Sequence, residues 1–263
     1  MPSIRKLAVI NASGLLLHIC VAYATQFRLI NMKDVGEISD EYPSLFTPAS
    51  STFAIWGVIY LLLIAFTAYH LVHAWKHPPE HDANRDLKKM GYQFAINNIG
   101  AALWLIFWVH DQLLISVLLI LVLLATLIIL HQRLRIHNHS RSFANKTFTQ
   151  LPLSVYLGWI TIATIADISS WLTAIHWNGW NVSPINWALT MIAVTVLLTV
   201  GVINRKKNVA FGLVVIWGLY GIMQMRIAVD KEDYQPIIWL IQGGIVIVAA
   251  ACLFGLIRNL RKK

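Results

Sequence analysis

Eight stretches of about 20 mostly apolar residues recur from one end of this 263-residue chain to the other, near 7–29, 51–74, 91–110, 113–131, 148–172, 185–203, 208–225 and 237–257. A run of that length closes its backbone hydrogen bonds internally as a helix and matches the roughly 30 Å hydrocarbon core of a bilayer. Hydrophobic residues make up 57% of the chain and charged residues 13%, against about 45–50% and 25% in soluble domains. A water-soluble core cannot hide that much apolar surface, whereas lipid solvates it. The sequence therefore predicts an all-α, multi-pass membrane protein with about eight transmembrane helices. Only Asp111-Gln112 separates the third and fourth runs, which predicts a tight helical hairpin. The fourth, LLISVLLILVLLATLIIL, is apolar on every face and is expected to touch lipid.

Charges sort by side once the runs are placed. One side carries Arg5, Lys6, Lys76, Arg85, Lys88, Lys89, Arg133, Arg135, Arg141, Lys146, Arg205, Lys206, Lys207, Arg258, Arg261, Lys262 and Lys263, which is 17 of the 21 Lys and Arg. Arg28, Lys33, Arg226 and Lys231 fall on the other, with most of the carboxylates. The positive-inside rule then predicts a protein of the cell membrane with both termini cytoplasmic. It also accounts for the net charge of +9 as anchoring near anionic lipid, with no call for a nucleic-acid partner. Arg5-Lys6, the first apolar run and Ala22-Tyr23-Ala24 mimic a cleavable signal peptide. Asn11 and His18 interrupt that run and the chain continues without a hydrophilic region, so the segment is expected to stay as the first span. Cys20 and Cys252 lie in apolar runs and read as small hydrophobes.

Among the tryptophans, Trp75 sits at the basic edge, while Trp108, Trp171, Trp177, Trp180, Trp187 and Trp239 gather near the other, as interfacial anchors do. Trp56, Trp104 and Trp159 lie inside their spans, where anchoring does not explain them. Helical spacing puts Trp56 on one face with Tyr60. It lines up Asn97, Gly100, Ala101, Trp104 and Trp108 in the third span, and Tyr156, Trp159, Ala163 and Asp167 in the fifth. Such aromatic and polar stripes point away from lipid. They fit either a core glued by amide and hydroxyl hydrogen bonds or an aromatic-lined pocket for a flat hydrophobic ligand, and spacing leaves both open.

Asp167 is the one carboxylate within a span. A charge there calls for a partner, a wet cavity or a proton; Arg226, His110 and His176 are candidate partners. A small proton-coupled transporter working through Asp167 is the alternative function. His70, His73 and His77 share a helix face, with His81 beyond Pro78-Pro79 and His131, His137 and His139 in the following loop. Imidazoles at that spacing suit a metal ion or haem iron. No Cys, Asp or Glu completes a ligand set, so a solvated interfacial face is expected and no metal site is assigned. No phosphate loop, nucleophile elbow, zinc-protease pair or kinase signature occurs; no catalytic residue is assigned, and an enzyme is not the expected class.

Several segments resemble the TspO/MBR family, the tryptophan-rich sensory proteins related to the translocator protein. YPSLFTPASSTFAIWGVIYLLL is similar to that family's first outer loop and second helix. YQFAINNIGAALWLIFW resembles its Gln-x3-Asn segment through Gln93 and Asn97, and VYLGWITIATIAD its Pro-Tyr-x-x-Trp-x7-Asn segment through Tyr156 and Trp159. The similarity covers about residues 1–175, leaving 176–263 as three additional transmembrane helices. It implies a five-helix TspO-like bundle with a pocket capped by the first outer loop. It also implies hydrophobic ligands such as tetrapyrroles (porphyrin or haem) or sterols and, in many members, a homodimer. Carried over by position, the pocket residues are Trp56, Tyr60, Asn97, Tyr156, Trp159 and Asp167; the stripe adds Trp104. Val155 stands where the family has proline, Gly100 where it usually has tryptophan and Asp167 where it has asparagine. No Tyr followed by Lys or Arg ends the fifth span, so the sterol motif is absent. Together these readings predict a membrane sensor that binds a planar hydrophobic molecule between the second, third and fifth spans, with lipid and that ligand as its partners.

Overall fold

A computed structural model describes residues 3–136, 138 and 140–260, with side chains as far as 258. His137, His139, Arg261, Lys262 and Lys263 lie outside the described residues. The helices are α1 Ile4–Gln26, α2 Val35–Glu41, α3 Ile55–Lys76, α4 Asp82–Met90, α5 Gln93–Val109, α6 Leu113–Leu134, α7 Phe143–Asn145, α8 Leu151–Ala174, α9 Pro184–Lys206, α10 Val209–Val229 and α11 Gln235–Leu260. A 3-10 turn, Ser50–Ala54, leads into α3, and a π turn, Lys146–Gln150, leads into α8. No strand occurs among the described residues.

The chain is therefore an all-α membrane protein. Seven of the described helices are long and apolar enough to cross a bilayer, and the pair α4–α5, bent by 57°, gives an eighth if it is one span. Of that pair only α5 is apolar, and it is 17 residues long. Its three-residue link to α6, His110 to Gln112, makes the expected tight hairpin. Helix ends follow local chemistry. Ser3 caps α1 by accepting from the Lys6 amide at 3.2 Å. α1 stops at Gln26 rather than at 29 because Phe27 closes the last turn onto the Tyr23 carbonyl and Arg28 takes a left-handed φ of 58°. α4 is a helix that the search for long apolar runs passes over. Its first turn carries Asp82 and its last Lys88 and Lys89, complementing the helix dipole, while Ala83, Leu87 and Met90 are buried.

Contacts divide the chain into two units, Met1–Val35 with Trp56–Leu157, and Gly36–Ile55 with Gly158–Lys263. In the first, α1 docks on α5 where Gly14 lets the backbones meet; a Cβ there would lie 2.9 Å from the Ala95 Cα. One helical turn away, the Asn11 amide donates to the Gly91 carbonyl and accepts from the Ala95 amide, both at 2.9 Å. Asn11 thus satisfies one of the free N–H groups in the first turn of α5. α6 buries Ile120, Leu123, Leu127 and Leu130 and exposes Leu114, Leu118, Leu121 and Val122, so one face packs and the other is left for lipid. Off the helix ends, the buried Asp86 of α4 accepts from Arg141 and, at 2.7 Å, from Asn145.

The second unit packs by shape. A Cβ on Gly158 of α8 would lie 2.9 Å from Val214 of α10, and one on Gly221 would overlap Thr52. Hydroxyls of Thr164, Ser169, Thr195 and Thr199 bond back to carbonyls of their own helices at 2.7 Å. The loop over 36–55 is pinned to α10: the Ala49 amide donates to the Gly221 carbonyl, and the Trp217 indole to the Thr52 carbonyl, both at 3.0 Å.

Candidate functional site

One aromatic assembly of the first unit draws on α1, α3, α5 and the start of α8. Trp56 lies at its centre. The ring of Tyr60, one turn along α3, stacks on it at 5.5 Å and 23°, and Trp104 of α5 lies at 6.2 Å and 30° on the same indole. Trp108 continues the series, stacked on Trp104 at 5.8 Å and 23°. Tyr60, Trp56, Trp104 and Trp108 thus form a ladder of tilted, near-parallel rings. Tyr156 meets Trp56 edge-on at 6.0 Å, and His18 of α1 meets both Trp56 and Tyr60 edge-on, at 6.1 and 5.3 Å. Edge-to-face and offset contacts of this kind suit ring quadrupoles.

Within this apolar wall two polar atoms have no hydrogen-bond partner, His18 Nε2 and the Tyr156 hydroxyl, and both residues are fully buried. The state of the imidazole follows from its neighbour. Asn98 donates its amide NH2 to the Phe94 carbonyl at 2.8 Å, which turns its oxygen toward His18 Nδ1 at 3.0 Å. Nδ1 must then carry the proton, leaving an acceptor lone pair on Nε2. Opposite it in character, the phenol of Tyr156 is a donor. Buried polar groups are rarely left unpaired, because each costs about 1–3 kcal/mol of lost solvation. The cluster thus holds one spare acceptor and one spare donor among its stacked rings.

Of the residues expected from sequence, Trp56, Tyr60, Trp104 and Tyr156 come together here. Asn97 is buried on α5 but spends its amide on α6, donating to the Leu123 carbonyl at 3.1 Å and to Thr126 at 2.7 Å. Trp159 and Asp167 belong to the second unit, both buried, and Trp159 meets Phe53 edge-on at 5.8 Å. Arg226, also buried in that unit, places its guanidinium 5.4 Å from the Tyr234 ring centroid. The two histidines considered as partners of Asp167 are exposed; His110 donates to its own helix at Ile106, and His176 sits in a left-handed turn.

His18 and Asn98 are the residues that sequence reasoning missed; α1 shows no aromatic stripe, and Asn98 is one position, or about 100° of helix, from the residue singled out. Trp108 corrects an expectation in the other direction. It is buried, and its indole donates to the Val35 carbonyl at 3.1 Å, so it completes the ladder instead of anchoring at the interface. Trp75, Trp180 and Trp239 are exposed, and Trp171, Trp177 and Trp187 are partly so. Among the histidines, His70 leaves the expected solvated face: it is buried between the Ala83 carbonyl and the Thr149 hydroxyl, each at 3.2 Å.

Comparison with known proteins adds one match. The profile of a family described as TSPO-like protein covers residues 8–254, reaching from α1 into α11 and beyond the segments up to residue 175 that carry the resemblance. No curated protein and no solved structure matches the chain.

Proposed function

The chain belongs to the TSPO-like protein family, and from that premise we propose that it is a membrane receptor for a planar hydrophobic small molecule, with the tetrapyrroles as ligand class. The observation that carries this reading is the pair of unpartnered buried atoms, His18 Nε2 and the Tyr156 hydroxyl, within the aromatic ladder of the first unit. The widest step of that ladder, 6.2 Å between Trp56 and Trp104, is where a flat ring has least to displace. A guest seated there would stack on both indoles, offer a pyrrole N–H to His18 and accept from Tyr156. The free Nε2 is also the atom by which an imidazole ligates haem iron. The charge asymmetry of the loops supports a cell-membrane location with both termini cytoplasmic.

Titration of the purified protein with protoporphyrin, followed by tryptophan quenching, tests the reading. Trp56→Ala should weaken binding by about 1–3 kcal/mol for a lost stack, and Tyr156→Phe should weaken it through loss of one donor. Unchanged affinity in both variants rules the site out. Repeating the titration with haemin separates the two tetrapyrrole classes: a Soret shift that His18→Ala abolishes assigns Nε2 to iron.

A second reading rests on Asp167 and Arg226, both almost fully buried within the second unit. Intramembrane ionisable groups mark proton and ion paths, so a proton-coupled transporter is the competing class. Proteoliposomes that bind protoporphyrin yet show no uptake driven by a pH gradient would remove it.

A further inference from the structure

We propose that His73, His77 and His81 form a binding site for a divalent transition-metal ion where α3 ends on the basic side. Their ligand nitrogens all lie within 4.8 Å of one another. The rings stand side by side, with centroids 4.8 Å apart for His73 and His77, 4.7 Å for His73 and His81 and 4.3 Å for His77 and His81. No spacing along one helix produces that trio. His73 and His77 are one turn apart, but α3 ends at Lys76, and Pro78-Pro79 stops it from continuing. His81 is carried back by a turn in which its amide bonds the Pro78 carbonyl at 3.1 Å.

That turn is held from below. The Asn84 amide, fully buried, lies 3.1, 3.1 and 2.9 Å from the carbonyls of His73, His77 and Pro78. It ties the backbone that bears two of the imidazoles to α4. The three rings are thus presented by a clamped backbone, and only their side-chain torsions remain to adjust. Donor chemistry fits as well. His73 donates Nδ1–H to the Tyr69 carbonyl at 2.7 Å, which leaves Nε2 as a lone pair. A backbone carbonyl in that position is how metal-ligating histidines are commonly oriented. The His81 Nδ1 accepts from the Ala83 amide at 3.3 Å, a long bond; coordination through Nε2 exchanges that weak cap for a metal bond.

Three neutral imidazoles without thiolate or hard oxygen select borderline ions such as zinc, copper, nickel or cobalt over calcium and magnesium. Zinc–nitrogen bonds of about 2.0–2.1 Å in a tetrahedron put ligand nitrogens about 3.4 Å apart. With present separations of at most 4.8 Å, the trio closes by no more than about 1.4 Å, and water takes the fourth position. The site lies among other residues than the aromatic ladder, so its fate is independent of the receptor reading.

Chelator-treated protein without any histidine tag, in detergent micelles, is titrated with zinc by calorimetry and with cobalt by visible absorption. One equivalent should bind, with the intense visible bands of four-coordinate cobalt. His73→Asn and His77→Asn should each weaken binding at least about tenfold, while replacing the exposed His110 and His176 together should change nothing. Binding that survives the His73→Asn/His77→Asn double variant overturns the site. Should those variants not fold, diethylpyrocarbonate footprinting of the unaltered chain decides. Zinc should protect His73, His77 and His81 together, and their continued modification under saturating zinc overturns the site equally.

Discussion

The two units of this chain hold their helices together by different means. In the first, side chains reach across: Asn11 from α1 to the start of α5, His18 to Asn98, and Asn97 from α5 to α6. The first unit adds a glycine contact, at Gly14, but in the second the hydroxyls turn back on their own helices and glycine contacts such as Gly158 and Gly221 carry the close packing. Lipid gives no hydrophobic reward for bringing helices together, so association must come from hydrogen bonds or from close packing. A hydrogen bond fixes which atom faces which; a glycine contact fixes only how near two backbones come. The unit that uses hydrogen bonds is the one in which a particular imidazole lone pair is left aimed among aromatic rings. Positional control and an unspent polar atom go together there, because Asn98 sets the very state of His18 that leaves Nε2 free.

The largest effect should come from filling a close approach. Gly221→Ile puts a branched side chain into Thr52 and is expected to cost about 3 kcal/mol by overpacking, read as loss of thermal stability in detergent. Gly57→Ile, at a position where a Cβ meets nothing within 4 Å, should cost under about 1 kcal/mol, the intrinsic scale of helix preference. Equal losses at the two sites would break the packing half of the comparison. Next comes Asn11→Leu, which leaves the Ala95 amide and the Gly91 carbonyl without their partner and should cost about 2 kcal/mol. Thr195→Val removes only a hydroxyl bonded to the carbonyl four residues back and should stay within about 0.5 kcal/mol. If Thr195→Val matches Asn11→Leu, the distinction between the units fails.

The smallest expected effect is one of pH. Burial raises the Asp86 carboxyl above its ordinary value, with Arg141 opposing. A carboxyl raised on folding favours the folded state in its acid form. That contribution is complete below the unfolded value near pH 4 and is lost as pH rises through the raised value. Asp86→Asn should therefore flatten the dependence of the melting temperature on pH above about pH 4, and an unchanged slope would show that the ion pair cancels the burial.

How much of this was legible depended on what each feature is measured against. A span is measured against the bilayer, whose thickness is known, and all eight apolar runs reappear as helices. α4 fell below that yardstick, although Ala83, Leu87 and Met90 recur at helical spacing within DANRDLKKM. Stripes on α3 and α5 named Trp56, Tyr60 and Trp104, since spacing fixes which residues share a face. It does not fix which neighbour that face meets. Asn97 therefore went to α6, and His18, which the sequence marks only as a break in the first apolar run, was not assigned to the cluster. The histidines teach the same lesson at a helix end. Spacing of three and seven selects His70, but the helix stops at Lys76, and a proline turn that no periodicity encodes brings His81 in its place.

α5, at 17 residues, is about 25 Å long at 1.5 Å per residue, some 5 Å less than a typical hydrocarbon core. Its exposed Ile96, Ile99 and Leu103 nonetheless present an acyl-facing surface. Lipids beside that flank must shorten or disorder to match it, and such a dimple costs fractions of a kcal/mol per ångström. The molecule should consequently sense chain length in its host bilayer, sitting at ease in short-acyl lipid and under mild tension in long.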